Sequence, residues 1–562
     1  MSSARILIAV ASAAAVLGLT LVQASTTAAS VITVTTSADE DTPDGDCSLR
    51  EAVKSANLGA ADACVQGATT GDGGDSIVFA SGINMVTLSL GALEVLDGQD
   101  LSINGPFGLG ESPLVIDAGG ANRIFDVGQA GLTISRLVLR DGAPPSGAGG
   151  AIRGGSSVAV SYATLLNNDA EAGGAISTNG SVAVFISRLS GNSAGGVGGA
   201  IALEGDRPLW VSGSEFTDNA ATAGGALSIA AGSFDVSSSL FAGNVAGTGA
   251  GMSVAGGDGG GVANSTFTGN TATPGAGSIE VAGAPIDVSL STFAENASPT
   301  ADIVNLDAIP QITLRQSIVA SPIQGAGCSG PIGDGGYNVI FDAGPGSCPV
   351  GGTNLTGDPV LGPLADNGGY NRTRLLGPGS AAIDVIPFAS RAHFRDQRDG
   401  IRPTPYGLGS DVGAVEVDYL PDATIGGESG LHLGASVFNE DGRHQTYRTE
   451  LRPARTVYYE ARVYNRARLL DDQFQIKAEP RDRPGFRVTY FRDHLDVTSE
   501  ITSDAGILTP SVRPAHVAER VFVAVRIRRD TPEGRKIDLP ITARSTGLPK
   551  RADTVRLVVE AK

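Results

Sequence analysis

Hydrophobic and polar positions follow one repeated pattern between residues 149 and 296. Each repeat opens on Gly and Ala followed by an aliphatic residue, as at 149–152 and 173–176, and closes on Leu or Phe three residues before an asparagine. Successive closing asparagines lie 24 to 27 residues apart. A fixed period of this length predicts a solenoid. The asparagines are Asn168, Asn192, Asn219, Asn244, Asn270 and Asn296.

The residue types within each repeat favour strands. Short runs rich in Val, Ile and Phe, such as 182–186 and 288–290, are separated by Gly, Asn, Asp and Ser. Roughly 25 residues at about 3.3 Å each make one coil of three short strands, and stacked coils lie about 4.8 Å apart. We therefore predict an all-β fold built on a parallel β-helix with coils of roughly 25 residues.

The repeated asparagine suits a turn, because its side chain bonds nearby backbone and tolerates left-handed geometry. Stacked in register, the six amides would form a ladder of hydrogen bonds, which we predict to be structural. A ligand-binding row of asparagines is the alternative. The aliphatic and Phe positions of each repeat are expected to point inward and stack on their equivalents in the next coil.

The N-terminal residues 1–29 read as a secretory signal. Arg5 precedes an apolar run at 6–22 and small residues that fit a cleavage site. The mature protein is expected to be secreted, extracellular or displayed on a cell surface, with no transmembrane span after cleavage. Ser48 and Glu51 form a capping box ahead of an amphipathic helix at 49–57. This helix would cover the first coil from a cap at 30–70; the alternative is a surface helix with no covering role.

Several motifs resemble known families. Cys-Ser-Leu-Arg-Glu-Ala at 47–52, followed by 74–79 and 101–106, resembles the signature of bacterial CSLREA-domain proteins. The repeats are similar to those of polymorphic outer-membrane proteins. Both resemblances imply an exported right-handed β-helix and no defined reaction. The series at 358–364, 379–384, 396–403 and 411–416 resembles the choice-of-anchor Q-type segment of surface β-helices. No LPxTG-like sorting motif follows it.

Composition changes near residue 418. Residues 419–562 carry 24 Lys+Arg and 20 Asp+Glu, against 16 and 39 in residues 1–418. Alternating apolar runs in the last part predict a β-sandwich of Ig-like type. The expected domains are a signal at 1–29, the cap at 30–70, the β-helix at 71–300, last coils and anchor-like segment at 301–418, and the sandwich at 419–562.

The four cysteines of this exported chain can pair in three ways. The near pairs are Cys47 with Cys64 and Cys328 with Cys348, and we predict both as disulfides. No cofactor is expected, although Ca²⁺ stays open at the acidic loop 72–75. The acidic β-helix region argues against nucleic acid and anionic membranes as partners. Envelope or extracellular glycans and surface proteins are the expected partners.

The chemistry of a β-helix enzyme is hard to find in the chain. A glycoside hydrolase needs two carboxylates roughly 5 to 9.5 Å apart. The acidic residues of the repeats do not share one phase, no His lies between 30 and 392, and Trp210 with a few Tyr offers little for sugar stacking. A Ca²⁺-dependent lyase would need arginines. The candidate charges are Asp169, Glu171, Glu204, Asp206, Glu215, Asp218 and Asp235, with Arg136, Arg140, Asp141 and Arg207.

No catalytic residue is assigned from these patterns. The favoured function is a non-enzymatic, secreted or cell-surface β-helix in adhesion or envelope structure. The alternative is a polysaccharide-active lyase or hydrolase, or a carbohydrate-binding protein.

Overall fold

The computed structural model describes most of the chain. Described are residues 30–58, 64, 74–106, 113–390, 392–402, 409–417, 421–427, 430–435, 437–467, 471–479, 482–513, 516–549 and 551–562. The predicted signal at 1–29 and residues 72 and 73 of the acidic loop lie outside these residues. No helix of the described residues is long and apolar enough to cross a membrane.

Three parallel sheets run along the length of the first part, which confirms the predicted all-β fold and parallel β-helix. Sheet A consists of Val31–Val34, Asp75–Phe79, Leu101–Asn104, Gly131–Ser135, Ser157–Ser161, Ser181–Phe185, Leu209–Ser212, Ser233–Ser237, Gly259–Ala263, Ile286–Ser289, Ile312–Arg315 and Ile332–Gly336. Sheet B consists of Met85–Thr87, Leu114–Asp117, Leu137–Arg140, Thr164–Leu166, Arg188–Ser190, Glu215–Thr217, Leu240–Ala242, Thr266–Thr268, Thr292–Ala294, Ile318–Ala320 and Val339–Phe341.

Sheet C has two columns of short strands that join at Ala297–Asn305, which pairs onward with Gln324–Ser329. One column is Leu93–Val95, Phe125–Val127, Ile152–Gly154, Ile176–Thr178, Ile201–Leu203, Leu227–Ile229, Met252–Val254 and Ile279–Val281. The other is Asp169–Ala170, Ser193–Ala194, Ala220–Ala223, Val245–Thr248 and Thr271–Ala272. The glycines that open each repeat lie at the start of the first column, where a Cβ on Gly174 would come within 2.3 Å of two backbone oxygens.

Equivalent residues of successive coils stack inside the shaft. Leu165 aligns with Leu189, and Leu189 with Phe216. The rings of Phe216, Phe241, Phe267 and Phe293 then form a continuous stack with centroids 4.9, 4.6 and 4.9 Å apart. This spacing equals the distance between neighbouring strands, so the aromatic contacts fix each coil on the next.

The six repeated asparagines form a buried ladder. Each Nδ2 donates to the Oδ1 of the asparagine in the next coil at 2.9 to 3.0 Å, from Asn168 through Asn296. The same Oδ1 atoms accept the backbone N–H of the preceding asparagine, as Asn192 does from Asn168. The second Nδ2 hydrogen reaches a backbone carbonyl, for example that of Leu165 from Asn192. Every polar group of these amides is therefore satisfied.

A second ladder of serines runs along the corner between sheets A and B, and the sequence analysis missed it. The backbone N–H of one serine donates to the Oγ of the serine in the next coil at 3.1 to 3.3 Å. Each of these hydroxyls also donates to the carbonyl two residues earlier, as Ser239 does to Ser237. The serines are Ser187, Ser214, Ser239, Ser265, Ser291 and Ser317.

The α-helix Leu49–Leu58 packs against the first coils through its buried face. Ser48 and Glu51 bond reciprocally: the Ser48 N–H donates to Glu51 Oε2 at 2.9 Å, and the Glu51 N–H to Ser48 Oγ at 3.1 Å. Arg50 reaches sideways to Asp39 and to the carbonyl of Gly91. The disulfides are Cys47–Cys64 and Cys328–Cys348, as predicted.

The last part of the chain forms two sheets around a shared apolar core. Sheet D consists of His432–Leu433, Pro421–Gly426, Thr456–Asn465, Val517–Ile527, Phe486–Arg492, Asp482–Arg483 and Leu495–Asp496. Sheet E consists of Thr446–Leu451, Ala552–Ala561, Lys536–Ser545, Phe474–Ala478 and Ile507–Leu508. The two-sheet arrangement agrees with the predicted sandwich, while its Ig-like type stays a prediction. A short helix, Thr498–Ile501, lies beside Phe486–Arg492.

Asp302 lies at the end of the asparagine ladder, and its carboxyl group is expected to make the stability of the protein depend on pH. Its Oδ2 accepts from Asn296 Nδ2 at 2.9 Å, and complete burial raises the pKa of Asp302 to about 6. Because this pKa lies above the ordinary 3.8, the stability that the neutral acid provides is complete below pH 4 and is lost as the pH rises through 6. Asp302→Asn keeps a neutral acceptor at the same place.

We expect Asp302→Asn to raise the free energy of unfolding at pH 8 by roughly 3 kcal/mol, and to have little effect below pH 4. Chemical denaturation at both pH values measures the difference, with Asp258→Asn at an exposed turn as the control. An equal effect of Asp302→Asn at both pH values would contradict this role of the buried carboxyl.

Candidate functional site

The described residues 361–390, 392–402 and 409–417, here called the strap, turn back along the β-helix and cover the outer face of sheet B. It contains the antiparallel pair Leu361–Ala365 and Thr373–Leu376 and the 3-10 helix Phe388–Ser390. Gln397 accepts from Thr266 Oγ1 at 2.6 Å, and the backbone N–H of Ala414 donates to Thr292 Oγ1 at 3.0 Å. Apolar strap residues pack on Leu290, Ile318 and Val339 of the coils.

A buried network of charged side chains holds parts of the strap together. Arg402 is buried and donates to the carbonyl of Gly413 at 2.7 Å, the carbonyl of Asp411 at 2.9 Å and Glu416 Oε2 at 3.3 Å. Burial alone would raise the pKa of Asp396, but the charges of Arg398 and Arg402 lower it. Burial raises the pKa of Asp411, because the backbone hydrogen bonds from Val417 and Asp384 and the charge of Arg402 offset it only in part. The network thus holds residues 396–402 and 409–416 together against the shaft.

The sandwich docks on the same strap. Arg551 Nη2 donates to Asp384 Oδ1 at 2.7 Å, and both side chains are buried. Leu548 from the neighbouring turn joins the apolar cluster of strap residues that includes Ile386 and Val417. The strap is therefore the connection between the shaft and the sandwich.

Sheet A keeps an outer face that bears exposed side chains. Alternate residues of its strands point outward, and one outward row runs from Ala183 through Trp210, Asp235 and Gly261 to Asp287. Gly261 has no side chain, so the row has a gap between the two carboxylates. Neighbouring coils lie about 4.8 Å apart, which places the two aspartates about 10 Å apart along the shaft.

Four exposed aromatic residues lie on or beside the middle coils of this face, and we call them the aromatic strip. Phe185 lies one coil before Trp210 and one position diagonally from it, and the Tyr162 N–H donates to the carbonyl of Phe185. The strap adds Tyr370, whose ring would lie 3.5 Å from a Cβ at Gly213. The exposed fractions are 54% for Tyr162, 37% for Phe185, 45% for Trp210 and 59% for Tyr370.

The strap also brings a histidine to sheet A. His393 Nε2 lies 3.4 Å from Ser289 Oγ, two positions along the strand from Asp287. Burial lowers the pKa of His393, as does the charge of Arg402, while Asp235 and Asp287 raise it. Partial burial raises the pKa of Asp235 against the charge of His393, whereas Asp287 is paired with Arg315 at 2.6 Å. The two carboxylates thus have different environments.

Most of the acidic and basic candidates from the sequence have local partners. Arg140 pairs with Asp117 at 2.6 Å, and Arg136 lies over the Tyr162 ring at 5.5 Å. Glu215 binds Arg372 of the strap. Asp169, Glu171, Glu204, Asp206 and Asp218 do not join Asp235 in its outward row. The structure instead places Asp287 there, which the sequence analysis did not consider.

Two further expectations concern histidine and metal. The chain has no His between 30 and 392, but the strap carries His393 back over a distance of 104 residues to Ser289. The position of His393 beside Ser289 is visible only in the folded structure, because the two residues are far apart in the sequence. In the described part of the chain, no group of three or more His, Cys, Asp or Glu side chains is arranged to hold a metal ion.

Comparisons with known proteins do not identify a family for this chain. No family model matches the chain, and no curated protein matches it, so the resemblance to CSLREA and choice-of-anchor proteins stays a prediction. One solved structure with a partial match is described as a family 123 glycoside hydrolase from Clostridium perfringens, studied for glycolipid glycan hydrolysis. The match has a TM-score of 0.15 and 9% identity, and covers 25% of this chain and 27% of that chain. Such a likeness carries no argument.

The strap network predicts a local effect of one substitution. Arg402→Met leaves Glu416 buried without its cation, which costs about 3 to 5 kcal/mol. We expect protease to cut the strap of this variant well before the shaft. We also expect the environment of Trp210 to be less well preserved than in the wild type. Limited proteolysis with mass spectrometry measures the order of cleavage. Arg395→Met, at an exposed ion pair with Asp399, is the matched control, and equal cleavage rates for the two variants would contradict the account.

Proposed function

We propose that this protein is a secreted or surface-displayed β-helix that binds a polysaccharide on the outer face of sheet A and acts in adhesion or envelope structure. The observation that carries the proposal is the aromatic strip. Only 5% of the residues are aromatic, yet four exposed ones lie on or beside three successive coils. A cluster of exposed rings rimmed by polar groups is typical of a binding surface.

The geometry of the strip suits an extended glycan chain. Aromatic rings offer flat apolar faces, and Tyr and Trp add a polar edge for hydrogen bonds. Coils repeat every 4.8 Å or so, a distance close to the length of one sugar unit in an extended chain. A polysaccharide running along the shaft would meet Tyr162, Phe185 and Trp210 on successive coils. Asp235 and Asp287 continue the path with hydrogen-bond acceptors.

Location outside the cell is part of the proposal. The N-terminal sequence predicts export, and two disulfides are typical of oxidising compartments. The resemblance to CSLREA-domain and choice-of-anchor proteins favours display on a bacterial surface. A rigid shaft that binds weakly at repeated positions suits adhesion or the spacing of envelope layers.

We expect Trp210→Ala to weaken glycan binding by about tenfold or more, since it removes the central ring of the strip. Pull-down with insoluble cellulose, chitin, xylan and peptidoglycan identifies the ligand, and isothermal titration with soluble fragments measures its affinity. Leu495→Ala removes an exposed apolar side chain from the sandwich, outside both proposed sites, and serves as the control. Equal binding by both variants, or no binding of the wild type to any polymer, would overturn the proposal.

A second candidate, hydrolysis of the bound glycan, is favoured by the pair Asp235 and Asp287. Inverting hydrolases hold two carboxyl groups roughly 6.5 to 9.5 Å apart, one protonated and one ionised, and two coil spacings of about 4.8 Å put these aspartates near the upper end of that range. Partial desolvation raises the pKa of Asp235 in spite of the charge of His393, while Asp287 pairs with Arg315 at 2.6 Å. In this reading, Asp235 would protonate the leaving oxygen and Asp287 would take a proton from the attacking water.

The hydrolysis hypothesis predicts that Asp235→Asn and Asp287→Asn each lower reducing-end release at least about 100-fold while binding stays within about twofold. The assay uses whichever polymer is bound in the pull-down, with Asp258→Asn as an acidic control. Binding without any reducing-end release by the wild type would exclude hydrolysis and leave the binding proposal intact.

A further inference from the structure

Three turns lie side by side at one end of the sandwich. The Ala454 N–H donates to the carbonyl of Ile527 at 2.8 Å, and the Arg528 N–H to the carbonyl of Gly485 at 2.9 Å. Arg535 Nε reaches the carbonyl of Pro484 at 3.0 Å. These bonds bring together residues 452–455, 483–487 and 526–535. We call this end of the sandwich the tip.

The tip lies away from the shaft. The strand Lys536–Ser545 begins at the tip and ends beside Arg551, whose carbonyl accepts from the Ser545 N–H at 2.9 Å. Arg551 is the residue that docks on Asp384 of the strap. Ten strand residues span about 30 Å, so the tip and the docked end lie at opposite ends of the sandwich.

Arginines crowd the tip, and all of them are exposed. The arginines are Arg452, Arg455, Arg487, Arg526, Arg528, Arg529 and Arg535. Elsewhere in the sandwich the arginines are mostly paired, for example Arg462 with Glu460 and Arg556 with Asp538. Among the described side chains, none of these seven guanidinium groups lies within 4 Å of a carboxylate, whereas Arg483, which also lies at the tip, pairs with Glu479 at 3.3 Å. The turn itself adds Asp530 and Glu533, so arginines outnumber acids among the described side chains of the tip.

Two of these arginines lie side by side in the sheet. Arg526 is directly opposite Arg487 on one neighbouring strand and opposite Thr456 on the other. Like charges directly opposite each other across strands are destabilising. Arg487 also has Asp482 as its register partner, but Arg526 has no acidic register partner. An arrangement that costs stability is expected where a ligand supplies the missing negative charge.

We propose that the tip binds an anionic polysaccharide through these arginines. Guanidinium groups bind carboxylate, sulfate and phosphate oxygens in pairs, with a geometry that lysine does not provide. Tyr458 lies one row from Arg526 on the same outward face and is about half exposed, so it offers a ring for a sugar beside the charged groups. The site is separate from the aromatic strip and stands without it.

The charge distribution favours a polysaccharide over nucleic acid. Duplex DNA binding relies on many phosphate contacts spread along a long, stiff and highly charged rod. Residues 1–418 carry 39 acidic and 16 basic residues, which would repel such a rod beyond the tip. A flexible, less densely charged sugar polymer can contact the tip alone.

Binding of the full-length protein to polygalacturonate and to dextran sulfate tests the proposal, and the two polymers distinguish carboxylate from sulfate recognition. Neutral dextran and duplex DNA complete the set. We expect salt-sensitive binding to at least one anionic polysaccharide, no binding to neutral dextran, and at least about tenfold weaker binding by the Arg526→Glu/Arg528→Glu variant. Arg448→Glu/Arg513→Glu makes the same change in net charge on exposed arginines away from the tip and is expected to change binding less than about twofold.

The thermal stability of the single variant Arg526→Glu provides a second readout. The introduced carboxylate would face Arg487 and replace repulsion with attraction, so this variant is expected to unfold at the same temperature as the wild type or higher while binding less polymer. Three results would each overturn the proposal. They are an equal loss of polysaccharide binding in both double variants, tighter binding to DNA than to either polysaccharide, and no polysaccharide binding by the wild type. Trp210→Ala is expected to leave this binding unchanged.

Discussion

Register between coils is the constraint on which the rest of the structure depends. A slip of one residue between neighbouring coils would turn every inward side chain outward, so the buried shaft demands one alignment. Here three stacks act together: the asparagine amides, the serine hydroxyls and the Phe rings each bond or pack with their equivalents at the strand spacing. The amide ladder saturates its donors and acceptors only when the coils are in register, so a shifted coil would bury unsatisfied groups. The near-constant length of the repeat follows from this requirement.

The two outer faces of the shaft differ in exposure: the strap covers sheet B, and sheet A is open. The strap occupies sheet B, where small and hydroxyl side chains such as Thr266 and Thr292 bond to its glutamine and its backbone. Sheet A is left with rings and carboxylates exposed. The buried network around Arg402 gives the strap a rigid shape, and the same segment supplies Tyr370 and His393 to the edge of the open face and Asp384 to the sandwich. One segment thus completes the candidate site and joins the two parts of the protein.

The sequence predicted what is local or periodic and missed what is distant. The repeat, the asparagine row, the capping box and the near cysteine pairs are all visible within one coil or one loop. The serine ladder escaped notice because serine is common throughout the chain, and its phase becomes clear only once the strands are aligned. His393 and Asp287 are 106 residues apart, and nothing in their local sequence indicates that a returning segment brings one to the strand of the other. For the same reason the scarce aromatic residues looked scattered along the chain, although four of them converge.

The central claim is that the outer face of sheet A holds a glycan, and the chain offers a direct probe because Trp210 is its single tryptophan. Titration of the wild-type protein with soluble oligosaccharides of the polymer it retains, followed by tryptophan emission, reports on that face alone. The account predicts a saturable change in emission whose midpoint agrees with the dissociation constant from calorimetry. Calorimetric binding that leaves the emission of Trp210 unchanged at saturation would contradict the claim and place the glycan elsewhere on the molecule.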